Sequence, residues 1–159
     1  MKSATVAEIK KELKFRSPDE LMGLCLRLAR FKKENKELLT YLLFEAEHEP
    51  SYILSVKELM DEKFSEINTD SFYYIKKSVR KILRETKKFI RYSNAKETEV
   101  ELLLHFCEGL LSFRPSVRNN RTLMNLLERQ RLLIQKKIGG LHEDLQHDYT
   151  VELNNLMDG

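Results

Sequence analysis

Eight cations crowd one stretch of this chain: Lys76, Lys77, Arg80, Lys81, Arg84, Lys87, Lys88 and Arg91, with Glu85 the sole acid among them. On an α-helix, at about 100° per residue, all eight fall within an arc of roughly 140°. An apolar stripe of Phe72, Ile75, Val79, Ile82, Leu83, Phe89 and Ile90 lies on the other side. Such spacing presents a row of fixed positive charge, roughly 22 Å long, to an anionic surface. Tyr73 stands on the same side at the start of the row, where it can stack on a base or ribose. Like charges three and four residues apart repel by a few tenths of a kcal/mol per pair, whereas a purely structural helix usually interleaves Glu with Lys. The repulsion requires a compensating anion, external or internal.

A second basic block, Arg114, Arg118, Arg121, Arg129, Arg131, Lys136 and Lys137, surrounds Glu128, and from it Arg118 and Arg121 extend the candidate surface. Acids are segregated elsewhere. Residues 34–66 hold nine acids against three bases, and residues 143–158 hold five acids and no Lys or Arg. Glu58, Asp61, Glu62 and Glu66 therefore offer an internal match, and an acidic protein partner offers an external one. The leading expectation is a non-enzymatic module that binds an acidic protein. The alternative is sequence-nonspecific binding to DNA or RNA phosphates, because no base-reading element, RNP-type motif or zinc finger is present.

Groups that could do bond-making chemistry are sparse. His142-Glu143-Asp144-Leu145-Gln146-His147 has one residue more than the zinc motif HExxH, which turns the two imidazoles about 140° apart on a helix. Glu45 with His48 and Asp144 with His147 have the spacing of di-iron bundles, but Glu45 and His48 abut Pro50, and such bundles need carboxylates from two further helices. A carboxylate/His metal enzyme is the third and weakest reading. His105 and Cys107 read as a structural histidine and a core thiol, and Cys25 occupies an equivalent stripe position. No Gly-rich phosphate loop or GxSxG elbow occurs, so no catalytic residue, metal or cofactor is expected.

The elements that must hold these residues are helices. The chain has 26 Leu against 14 Val plus Ile, with few glycines inside the periodic segments. Its 159 residues, 42% hydrophobic and 33% charged with five Gly and three Pro, exclude low-complexity disorder and turn-rich all-β folds. One all-helical domain over 1–159 is expected, with about seven or eight helices. The hairpin units are 17–48, 51–92 and 96–138, flanked by helices at 5–14 and 141–157. Thr5 with Glu8 and Ser17 with Glu20 have capping-box spacing, Pro50 is expected to stop the third helix, and Gly139-Gly140 to give a left-handed stop.

Laid at an offset of 82, Leu21, Leu24, Cys25, Leu28 and Phe31 meet Leu103, Phe106, Cys107, Leu110 and Phe113. Three helix pairs on that period resemble a short HEAT-like α-solenoid, and a compact multi-helix bundle buries the same stripes. No apolar run approaches the roughly 20 residues that span a bilayer, so no membrane association is expected. Two unpaired-looking cysteines make a cytoplasmic, reducing location the expectation.

Overall fold

A computed structural model describes all residues 1–159. The chain is all-helical, as expected from its composition, with eight α-helices and one π-helical turn at Tyr41–Glu45. No helix is long and apolar enough to cross a membrane. The backbone divides into two compact units, Met1–Leu43 and Phe44–Gly159.

The first unit holds α1 (Val6–Leu13), α2 (Pro18–Phe31) and α3 (Lys33–Thr40). Both capping boxes form: Thr5 and Ser17 accept from the Glu8 and Glu20 amides, and each glutamate accepts in return from the backbone N–H of its cap. Bonds from the Thr5 amide and hydroxyl hold the Glu8 carboxyl below the usual carboxylate range. A single extended residue, Lys32, separates α2 from α3. Asn35 Nδ2 donates to the Leu28 carbonyl at 2.7 Å, satisfying an acceptor that the end of α2 leaves free. Of the apolar side chains here only Ala29 and Tyr41 are buried. Cys25, which the periodicity assigns to a core, is exposed, because α3 covers only one side of a broad apolar helix.

The second unit is a bundle built on one helix. It comprises α4 (Glu49–Ser65), α5 (Phe72–Ser93), α6 (Lys96–Ser112), α7 (Arg121–Ile138) and α8 (Glu143–Asp158). Helix α6 packs against all four others. It buries Thr98, Val100, Leu102, Leu103, Leu104, Phe106, Cys107 and Leu110, an arc of roughly 240° that leaves only the Glu97, Glu101, His105 and Glu108 side outside the core. Phe64 of α4 packs on Phe106 with ring centroids 5.8 Å apart and lies so close to Gly109 that a Cβ there would meet its ring at 2.7 Å. Burial pushes the Cys107 thiol up to about 12, so it is an inert core sulfur.

Two helix ends depart from expectation. Pro50 does not stop α3, which has already passed into the π turn; it sits in the first turn of α4, where a missing N–H costs no hydrogen bond. Gly139 stays right-handed at φ −59°, and no glycine has positive φ. The left-handed stop is Asn94, φ 56°, whose N–H closes α5 on the Ile90 carbonyl at 2.9 Å. Asparagine tolerates this geometry better than other non-glycine residues.

Candidate functional site

Helix α5 is held by one face. Ile75, Val79, Ile82, Leu83, Thr86 and Ile90 are buried, which turns the cation row away from the core. Lys77, Arg80, Lys81, Arg84 and Arg91 are exposed, while Lys76, Lys87 and Lys88 on the margins are half-buried. Their ammonium or guanidinium groups could have been neutralised by the neighbouring acids. They are not: Lys76, Lys77, Arg80, Lys81, Arg84, Lys87 and Arg91 form no ion pair or hydrogen bond within the chain. Lys88 lies over the Phe89 ring, 5.4 Å from its centroid.

The acids nearest in sequence are engaged otherwise or stand free. Glu85, the one acid within the row, pairs across to Lys63 of α4 at 2.8 Å. Asp61 of α4 bonds His105 Nε2 at 2.6 Å. Glu58, Glu62 and Glu66 are exposed and form no ion pair, although α4 packs directly on α5. Tyr73 at the head of the row is 67% exposed and meets Tyr74 edge-on, with centroids 5.4 Å apart.

The second basic block is placed and charged differently. Helices α5 and α7 each pack on α6, and Arg118 and Arg121 stand just before and at the start of α7. Arg118 Nη2 donates to the Gly159 carbonyl at 3.0 Å, and Arg121 opens α7 unpaired. Arg131 is tied to Glu128 through Nε at 2.8 Å, and Lys137 to Glu99 of α6 at 3.1 Å. The difference is local: Arg131 finds Glu128 one turn away on α7, and Lys137 alone reaches an acid of α6.

Periodicity misses a polar cluster beside a groove of about 500 Å³ between α4 and α6. Lys57 Nζ donates to Glu101 Oε2 at 2.8 Å, and the Tyr149 hydroxyl bonds Glu97 at 2.8 Å and Glu101 at 2.9 Å. Thr98 and Ser93 donate to Glu49 on the same side. Burial pushes the Glu101 carboxyl up, but its bonds from Lys57 and Tyr149 outweigh that and hold it below the usual range. Burial, then the two carboxylates, raises the Tyr149 phenol well above its usual value. Every donor is matched internally, so the cluster joins α4, α6 and α8. The signal was faint because Glu97 and Glu101 are ordinary surface residues until Tyr149, some 50 residues on, reaches them.

The candidate metal ligands stay apart. Glu45 and His48 lie at the π turn and just beyond it, His142 caps α8 with its side chain accepting from the Asp144 amide, and His147 is exposed on α8. No group of three or more His, Cys, Asp or Glu side chains that could hold a metal ion comes together. What the structure presents is an exposed row of cations on α5 that the chain itself leaves unpaired. No protein-family model, no characterised protein and no solved structure matches this chain.

Proposed function

We propose that the protein is a non-enzymatic interaction module that takes an acidic protein partner along the cation row of α5. The observation that carries the reading is the unpaired state of seven of the eight cations beside a helix with three free carboxylates. Exposed ion pairs are worth little to a fold, so the seven cations remain available to an external anion at little cost to the chain. Residues 44–159 carry 18 Lys plus Arg against 19 Asp plus Glu, a balance of −1. The row is therefore a local positive feature of a nearly balanced unit, and a partner helix that matches its roughly 22 Å length meets that local charge. Tyr73 and Tyr74 supply the aromatic anchors that such interfaces favour.

A second reading, binding to the phosphate backbone of DNA or RNA, draws on the same two tyrosines as a stacking platform. Fluorescence anisotropy with a labelled Glu-rich helical peptide, beside a labelled duplex and a single strand, separates the two. The first reading expects peptide binding that Arg80→Glu with Arg84→Glu abolishes while far-UV CD stays unchanged. Duplex binding whose log K falls with log salt by roughly 0.9 per neutralised phosphate transfers the row to the second reading. Absence of all binding at low salt removes both.

A further inference from the structure

We propose that the groove between α4 and α6 binds a small organic cation, an ammonium or guanidinium group carried on an apolar body. The inference is independent of the cation row. At about 500 Å³ the groove falls within the roughly 300–1,000 Å³ of small-molecule sites. Its two sides differ in chemistry. On the α4 side Pro50, Ile53 and Leu54 are apolar, and Leu54 is 58% exposed. On the α6 side stand Glu97 and Glu101, one helical turn apart on the same face.

A proton count on the acidic side points to what the groove takes. The Tyr149 hydroxyl lies 2.8 Å from Glu97 Oε1 and 2.9 Å from Glu101 Oε1, and it has a single hydrogen to donate. At any moment one of the two carboxylates faces a lone pair of the phenol oxygen with no proton between them. Tyr149 is only 8% exposed, so solvent screens that contact poorly. Lys57, the one cation lining the groove, already donates to Glu101, whereas Glu97 has no partner besides Tyr149. Glu97 is therefore the carboxylate short of a donor, and it is exposed where it lines the groove. The lining carries three carboxylates against one ammonium, which repels an anionic ligand. A bare metal ion finds too few ligands, because the acids do not converge and Glu49 accepts from Ser93 and Thr98. An organic cation needs only Glu97 for its charge, and its body gains burial against Ile53 and Leu54.

Titration of the isotope-labelled full chain with phenylbutylamine, followed by amide chemical shifts, tests the proposal, with phenylbutanol and spermine as controls. The amine is expected to bind with a Kd of about 1 mM or tighter and to shift residues 49–57 and 95–101. The alcohol, which keeps the body and lacks the charge, is expected to bind about tenfold more weakly, and spermine, which has charge and no apolar body, likewise. Glu97→Gln retains an acceptor for Tyr149 and is expected to weaken the amine about tenfold with the thermal melt unchanged. Leu54→Ser, at an exposed position, is expected to weaken the amine about fivefold and decides the matter if the first variant does not fold. No shifts at about 10 mM amine, equal binding of amine and alcohol, spermine binding as tight as the amine, or amine binding that survives both substitutions overturns the proposal.

Discussion

Helices α2 and α6 share an apolar pattern and differ in what surrounds it. Leu28 and Cys25 of α2 are exposed, while Leu110 and Cys107, their counterparts 82 residues on, are fully buried. The pattern states only which side chains need a partner. In α6 four neighbouring helices of the same unit meet that need, and in α2 the unit supplies α3 alone. Spacing therefore encodes the demand for burial, and topology decides whether one chain can satisfy it.

The same deletion made in both helices should have very different costs. Leu110→Ala is expected to lower the unfolding free energy of residues 44–159 by about 2–5 kcal/mol, measured by urea denaturation followed by CD. Leu28→Ala is expected to leave that transition in place, since Leu28 belongs to the first unit and is 61% exposed. Equal losses would show that the two helices share one core.

The glycines of the two helices differ in the same way. Gly109→Ala drives a methyl into the Phe64 ring and is expected to cost about 1–3 kcal/mol, because the ring is wedged against Phe106 and Phe113. Gly23→Ala meets nothing within 4 Å and is expected to raise the helicity of α2, with about 0.5–1 kcal/mol of local stabilisation. Thermal melts that respond alike to both changes would contradict the contrast.

A smaller effect comes from acid. Glu101 is held below the usual carboxylate range in the fold, so its bonds to Lys57 and Tyr149 stabilise the fold fully above the unfolded value. That contribution is lost as pH falls through the lower folded value. Glu101→Gln is expected to weaken the acid limb of the stability curve of residues 44–159, and an unchanged limb would remove the cluster's structural role.

Much of this architecture was legible in the residue pattern. Both capping boxes, the span of α5 and the side on which its cations lie follow from local spacing, because a helix converts sequence distance directly into angle. Pro50 and Gly139 were misread for a related reason. Proline ends one helix or begins the next with equal local ease, and glycine permits a left-handed stop without compelling it. The exposure of Cys25, the tie of Lys137 to Glu99 and the Tyr149 cluster depend on which helices become neighbours. Periodicity carries no information on that. The basic row was visible in the sequence, but its freedom from carboxylates depended on Glu85 turning to Lys63, a fact of packing.

The most direct test of the central claim compares two charge reversals against one labelled acidic helical peptide at low salt. Arg80→Glu with Arg84→Glu, on α5, is expected to abolish binding, whereas Arg129→Glu with Lys136→Glu, on α7, is expected to leave it within about twofold, less than 0.5 kcal/mol. Equal loss from both pairs, or none from either, would contradict the assignment of recognition to the uncompensated row on α5.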